Sequence, residues 1–317
     1  MIPFYNLKEL NKKYEKEYLK NIRKIIRSGY YISGSETKKF EKKFANYCNT
    51  KYCIAVGNCL DAIKLTLSSY IELGKIKKND EVLVPANTYI ATILAISAIG
   101  LKPVLIEPEI ETYNINPNKI NDAINKKTKA IIVVHLYGQP AKMKSILNIT
   151  KKNKLIVIED AAQAHGAIYN KKRVGSFGNA GCFSFFPGKN LGGLGDAGAI
   201  TTNNAVLAKM LKSLRNYGEV NYENIKKRKY INNYKGVNTR MDEIQASLLN
   251  IKLKDLDKNN KKRLQIAKFY IRNINNSKII LPIISSGSIS VWHLFVIRTK
   301  NRIKLINYLK KNNVQTL

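Results

Sequence analysis

The sequence predicts an α/β fold built on a largely parallel sheet of seven strands. Three observations predict it. Strand-like apolar runs recur at 52–56, 81–85, 103–106, 130–135, 155–158, 181–186 and 198–202 of the 317 residues. Helical patterns fall between most of them, at 60–73, 89–99, 117–124 and 141–151, and strands that alternate with helices build parallel sheets. Polar groups gather at the carboxyl ends of the runs, where open α/β sheets bind ligands. The last two runs are joined by a glycine-rich loop instead of a helix, which allows one strand to be antiparallel.

The elements follow in order. Residues 7–27 are polar with apolar positions at Leu7, Leu10, Tyr14, Tyr18, Ile22 and Ile25, a helical period. The stretch 29–34 breaks it, and 35–47 reads as a second helix. After the alternating region, 205–217 is helical. The basic, tyrosine-rich segment 219–235 reads as an exposed loop. A long helical pattern over 244–273 leaves the first domain and opens a smaller α+β domain, with a strand over 291–298 and a helix over 302–311. The last residues, 314–317, read as a strand. The expected division is 1–245 and 246–317, with the second domain incomplete.

Composition narrows the function. The formal net charge is +33, from 55 basic and 22 acidic residues. A nucleic-acid binder concentrates basic residues on one face or arm. Here they are mostly lysines spread over the whole chain beside abundant Ile and Asn, the mix that AT-rich codon usage produces, so nucleic acid is not the expected partner. The clusters Lys226-Lys227-Arg228-Lys229 and Lys261-Lys262-Arg263 read as solvated, with the option of attracting an anionic substrate. Cys48, Cys53, Cys59 and Cys182 lack metal-ligand or CxxC spacing and read as small buried residues of a reducing compartment. His135, His165 and His293 are too far apart for a helical metal pair. The longest apolar stretch, 90–101, is too short to span a bilayer, and the amino terminus is unlike a secretory signal. A cytoplasmic protein is expected.

The stretch 184–198 carries one lysine, Lys189, among five glycines. Glycine lets backbone approach a ligand closely, and a lone amine there is placed for chemistry with a carbonyl; a solvated turn is the alternative. Gly193 to Gly198 spells G-x-G-x-x-G, but a strand-like run follows where a dinucleotide site needs a helix. Gly188-Lys189 is no P-loop, because Asn190 replaces the Ser/Thr. At other strand ends stand Gly57-Asn58-Cys59, Asn87-Thr88-Tyr89, Glu159-Asp160 through His165, and Ser184. Together these describe a pyridoxal phosphate (PLP) site. A lysine can hold the cofactor aldehyde as a Schiff base, and a carboxylate can pair with the pyridinium nitrogen. Asp160 suits the second role, though taken alone it reads first as a helix N-cap before Ala161-Ala162. Backbone N–H groups where Gly57-Asn58-Cys59 opens a helix suit the phosphate, and Ser184 could add a hydroxyl. Tyr89 could stack on the ring or be a core aromatic.

On these residues the whole chain resembles the PLP-dependent sugar aminotransferases of the DegT/StrS type, which have the type I aminotransferase fold. The matching stretches are Val56-Gly57-Asn58 with Asp61-Ala62, 85–89, 159–166, 184–198, 214–218 and 236–243. The resemblance implies that Lys189 binds the cofactor covalently and then shuttles a proton. It implies that Asp160 pairs with the ring nitrogen and that Gln163 lies near the phenolic oxygen. Ser184 and the Gly57-Asn58 turn would hold the phosphate, with Asn238 reaching it from the other subunit of an obligatory homodimer. Tyr217, Arg240 and His293 are candidate substrate-binding residues. Family dehydratases carry histidine in place of the lysine, so Lys189 favours transamination. The form 187–192 with 87–89 looks most like enzymes that move an amino group from L-glutamate to C3 of a dTDP-3-keto-6-deoxyhexose. Two departures stand out. Cys59 occupies a usual glycine position, and family members continue beyond the equivalent of Leu317, so the chain is expected to be a truncated form whose activity is in question.

Overall fold

The computed structural model describes residues 1–219 and 231–317. The expected loop 219–235 and its basic cluster 226–229 therefore fall mainly outside the described residues. The main sheet contains β1 (Tyr52–Val56), β2 (Glu81–Pro85), β3 (Lys102–Ile106), β4 (Thr128–Val134), β5 (Ile156–Asp160), β8 (Ala180–Ser184) and β9 (Gly198–Thr202). Its order is β1-β9-β8-β5-β4-β2-β3. β9 is antiparallel to both β1 and β8, and the other pairings are parallel. This is the expected fold class, and the inverted strand is the one the lysine loop feeds. β6 (Ile168–Tyr169), β7 (Lys172–Arg173) and β10 (Ser288–Ile289) form a small antiparallel sheet.

The helices before the sheet are α1 (Leu7–Lys12), α2 (Glu15–Ser28) and α3 (Ser35–Cys48). Those within and after it are α4 (Cys59–Glu72), α5 (Ile90–Ser97), α6 (Met143–Lys152), α7 (Ala205–Leu214), α8 (Glu243–Lys252), α9 (Leu256–Asn273) and α10 (Arg302–Lys311). Side chains alternate across each strand, and the core divides accordingly. Ile54, Val82, Ile132, Ile158 and Cys182 share one cluster with residues of α4, α5 and α7. Cys53, Phe183 and Ala199 pack on the other face with α3 and α8, and Leu83, Ile131 and Val157 pack there with α6.

Several local expectations need correcting. Residues 7–27 form two helices, because the chain turns at Lys13 and Tyr14; Tyr14 then packs with Tyr18 and Leu248. The stretch 117–124 is two short 3-10 turns, one led by Pro117, where an α-helix was expected. The pattern over 244–273 is two α-helices joined by a 3-10 turn at Leu253–Asp255. No strand forms over 291–298; Arg298 makes one isolated bridge to Ile280, and Trp292 sits in the left-handed region at φ 49°. Val314 likewise makes only a bridge, to Ile2. Among the described residues no helix is long and apolar enough to cross a membrane.

Two buried carboxylates fasten this frame. Glu243, first residue of α8, accepts the backbone N–H groups of Gly34 (2.9 Å), Glu36 (2.8 Å) and Thr37 (2.9 Å) and also the Thr37 hydroxyl. It thus caps α3 from outside that helix, supplying the acceptor the first turn lacks. Glu159, fully buried in β5, accepts from the N–H groups of Gly175 (2.8 Å), Phe177 (2.7 Å) and Gly178 (2.8 Å). His135 Nε2 adds a fourth bond at 3.0 Å. The Ala141 N–H donates to His135 Nδ1 at 3.1 Å, which leaves the imidazole hydrogen on Nε2, pointing at Glu159. The covering loop lies so close to the sheet that a Cβ at Gly181 would stand 2.4 Å from the Gly175 Cα.

Replacing Glu159 with alanine strands the buried Gly175 N–H, the partly buried N–H groups of Phe177 and Gly178, and the buried imidazole. Glu159→Ala should lose about 3–5 kcal/mol of stability, the cost of breaking a buried charged network from one side. Urea unfolding monitored by circular dichroism measures it; a loss under 1 kcal/mol would show that the loop is held by something else.

Candidate active site

Strand alternation sets the direction of the first candidate. Asp160 follows Ile158 by two positions on β5, so it faces the α4–α5 side while Glu159 faces away. It is 6% exposed. Its Oδ2 accepts from the Thr92 hydroxyl of α5 at 2.8 Å. Its Oδ1 accepts from the Ala162 N–H at 3.1 Å and faces the Cys59 thiol at 3.9 Å. The N-cap alternative fails, since a turn and no helix follows β5. Among the described residues no ion pair involves Asp160. A buried carboxylate held only by neutral donors is poised for a cation.

Lys189 lies in a closed loop. Its N–H bonds the Phe186 carbonyl at 2.9 Å, and the Gly193 N–H bonds that of Phe185 at 2.8 Å. A Cβ on Gly192 would stand 2.3 Å from the Pro187 carbonyl oxygen, so the ring closes only with glycine there. Burial lowers the Lys189 pKa below the ordinary 10.5, while Asp160 and then Cys59 pull it back up. Asp160 is therefore near enough to act on the Lys189 charge. Burial, followed by the Asp160 charge, pushes the Cys59 thiol well above its ordinary value, so it stays protonated.

Around the loop stand two neutral histidines. His165 Nε2 bonds the Ser184 carbonyl at 2.8 Å, and its Nδ1 is buried without a hydrogen-bond partner. Burial, then the Lys189 charge, pushes its pKa down to about 3. His293 Nδ1 is 3.2 Å from Asn190 Oδ1, and burial, then Lys189, lowers its pKa to about 2. Asn190, next to Lys189, also donates to Asn260 Oδ1 and to the Val291 carbonyl, both at 2.9 Å. His293 is thus brought to the lysine loop by Asn190.

The phosphate candidates occupy the start of α4. Asn58 is its N-cap, accepting from the Asp61 N–H at 2.8 Å. Among the described residues nothing bonds the N–H of Cys59 or Leu60, the first-turn donors that favour anions. Gly198 must be glycine for β9 to pass, since a Cβ there would stand 2.5 Å from the Asn58 carbonyl. The Gly57 N–H instead bonds the Thr239 hydroxyl at 3.1 Å, and that hydroxyl donates to Asp61 Oδ2 at 2.7 Å. Ser184 Oγ accepts from the Phe186 N–H at 3.3 Å. Gln163 Oε1 accepts from the Tyr137 N–H at 2.7 Å.

Three of the remaining candidates, Asn238, Arg240 and Tyr217, gather around Asn216. Asn238 bridges Asn216. Arg240 donates to Asn216 Oδ1 at 2.7 Å and lies 5.5 Å from the Tyr217 ring centroid. Its Nε is buried without a hydrogen-bond partner, a donor open to an anion. Tyr217 is at φ 60° and half exposed, and Tyr89 is 72% exposed. Among the described contacts none joins either tyrosine ring to Lys189 or Asp160.

Sequence reasoning missed the supports. On α8, Gln245 Oε1 takes the Leu194 N–H at 2.9 Å, and seven residues on, Lys252 Nζ donates to the Gly192 carbonyl at 2.6 Å and to Asn11 at 3.2 Å. Each reaches a partner more than 50 residues away in sequence, so no local pattern marks them. Burial, then Lys13, lowers the Lys252 pKa to about 8. Thr92 and Glu159 were missed too; Glu159 had a signal, a charge inside an apolar run.

A buried lysine, a carboxylate awaiting a cation and a helix start awaiting an anion fit PLP, which carries an aldehyde, a ring nitrogen and a phosphate. Such an arrangement is what a PLP-dependent aminotransferase requires. The DegT/DnrJ/EryC1/StrS aminotransferase family matches residues 12–317, and the chain belongs to it. It is 55% identical over 318 residues to the dTDP-3-amino-3,6-dideoxy-alpha-D-galactopyranose transaminase of Aneurinibacillus thermoaerophilus, spanning 100% of this chain and 84% of that protein. It matches S. venezuelae DesV, solved in complex with a ketimine intermediate, with TM-score 0.94 and 40% identity over 100% of this chain and 82% of that one. It matches NtdA of Bacillus subtilis, solved with bound cofactor PMP, with TM-score 0.89 and 34% identity over 98% and 70% of the two chains. The protein is a PLP-dependent sugar aminotransferase.

The site makes acid stability predictable. His165 has a folded pKa of about 3 against an ordinary 6.5. The unfolded chain therefore binds the extra proton first, and stability present above pH 6.5 falls as pH drops toward 3. By pH 5 this group should account for about 2 kcal/mol of the loss. The difference between urea stabilities at pH 7 and pH 5 should shrink by about that amount in His165→Asn, whatever that variant's absolute stability. An unchanged difference would mean that His165 charges without penalty.

Proposed function

We propose that this enzyme moves an amino group from L-glutamate to C3 of a dTDP-linked 3-keto-6-deoxyhexose, supplying an amino sugar for a surface polysaccharide or glycan. The observation that carries the reading is the likeness, at 55% identity over the whole of this chain and 84% of the relative, to a protein whose name specifies a dTDP-3-amino sugar. A C4 keto sugar is the alternative within the family.

PLP would supply an electrophilic carbon that binds amines and a ring that withdraws electrons. The chain's own groups do the rest. Lys189 Nζ would hold the cofactor and would then move the proton at the reacting carbon. Burial favours its neutral, basic form. Asp160 would hold the positive charge of the ring nitrogen. Gly57, Asn58, Cys59 and Ser184 would hold the phosphate, the N–H groups of Cys59 and Leu60 facing it at the start of α4. Gln163, fixed through Tyr137, would stand at the phenolic oxygen, and Tyr89 would cover the ring. Arg240, with Tyr217 and His293, would receive the carboxylate or diphosphate of the substrates.

The reading includes a homodimer in which Asn238 reaches the partner's phosphate. Exposed Tyr30, Tyr31, Tyr89, Phe186 and Leu194 supply apolar surface that dimerisation would cover. Residues 1–245 would form the cofactor domain and 246–317 the smaller one. A cytoplasmic location suits both substrates.

Purified protein with PLP should show the visible band of the lysine-bound cofactor, and L-glutamate should bleach it. A band that glutamate leaves untouched would reject glutamate as donor. Lys189→Ala should abolish the band and cut turnover at least 1,000-fold, since it removes the group that carries the proton. Persisting turnover in that variant would sink the mechanism. Product analysis with C3- and C4-keto dTDP sugars decides the position aminated.

A further inference from the structure

Serine and threonine hydroxyls inside helices can donate back to the carbonyl four residues earlier. Thr66 does so to Ala62 at 2.8 Å, and Ser97 does so to Ile93 at 2.8 Å. Thr92 does not. Its hydroxyl reaches Asp160 Oδ2 at 2.8 Å, and behind it lies the Thr88 hydroxyl at 2.8 Å. A hydroxyl has one hydrogen to give. An ionised Asp160 can only accept, so Thr92 donates to Asp160 and must accept from Thr88. The chain of bonds therefore has one direction, Thr88 to Thr92 to Asp160. Thr92 is 1% exposed, so water does not compete for it. The Thr92 N–H bonds the Tyr89 carbonyl at 3.0 Å, and the Thr88 N–H bonds the Pro85 carbonyl at 3.3 Å. The pair is thus tied to the turn that carries Tyr89.

We propose that Thr92, backed by Thr88, is a positioning residue that keeps Asp160 ionised and leaves Oδ1 to take the N–H of the cofactor ring. This rests on the reading of Asp160 given above. Oδ2 is committed to a strong neutral donor. Oδ1 has only the Ala162 N–H and the weak thiol donor of Cys59 and keeps the capacity for one more bond. Donors to a carboxylate favour its charged form. Remove them, and the proton shared between ring nitrogen and carboxylate moves toward the carboxylate, so the ring withdraws electrons less well.

The test is the nitrogen NMR signal of PLP labelled with 15N at the ring nitrogen, bound to the protein at neutral pH. Wild type should give the protonated-pyridine position. Thr92→Val, which keeps the shape and loses the hydroxyl, should move the signal toward neutral pyridine and weaken PLP binding about tenfold. Thr92→Ser should restore the wild-type position. Thr88→Val, one bond further out, should move it less in the same direction, and stands in if Thr92→Val fails to fold. A protonated signal unchanged in both valine variants overturns the proposal and spares the reading of Asp160. A wild-type signal already at the neutral position overturns both. A merely structural Thr92 would lower thermal stability and leave the nitrogen signal where it was.

Discussion

The interaction on which the rest depends is the buried carboxylate of Glu159. It ties three consecutive parts of the chain to one point: β5 itself, the β4 end through His135, and the loop 175–178 that leads into β8. Those are the central strands of the sheet, and their carboxyl ends carry Asp160, Gln163 and Ser184. Because strand side chains alternate, fixing Glu159 on one face fixes Asp160 on the other. The His135 N–H closes the arrangement by bonding the Asp160 carbonyl at 3.0 Å. One network of neutral donors around one charge thus sets where a second charge points.

The lysine loop is held by a different principle. Its glycines permit close packing against its own backbone but give it no side chains with which to hold on. The surroundings supply them. Gln245 and Lys252 reach in from α8, and Asn190 reaches out to Asn260, Val291 and His293. The loop is thus held from outside. That places the fixing of Lys189 in parts of the chain 50 to 100 residues away, in α8, α9 and the segment before α10.

This explains what the sequence made legible. Strand runs such as Tyr52–Val56 and Glu81–Pro85 were readable to the residue, because burial on both faces demands unbroken apolar runs. Lys189, Asp160 and the α4 start stood out in the sequence because each carries a local pattern: a lysine among glycines, a carboxylate at the end of an apolar run, and Gly57-Asn58 before a helix. Thr92, Gln245, Lys252 and Thr239 were not, because each acts across the fold on a partner distant in sequence. The segment 291–298 misled for a related reason. Its apolar residues look like a strand, but Val291 and Leu294 bond the Gly138 and Tyr137 carbonyls in an irregular path beside the lysine loop. Tertiary contact there overrides propensity.

The charge of the chain deserves the same separation of local from global. A net charge of +33 dominates the composition, yet the site runs on groups kept neutral or only conditionally charged. Burial pulls Lys189, Lys252, His165 and His293 toward their neutral forms. Asp160 is ringed by a hydroxyl, an amide and a thiol. In a low-dielectric site each unit charge interacts strongly with every other. A second fixed cation beside Asp160 would compete for its carboxylate with any cationic group bound there. The two histidines at the lysine loop must therefore stay uncharged if Lys189 and the cofactor are to set the electrostatics, and their burial ensures it. Surface lysines are free to accumulate because solvent and salt screen them from this interior.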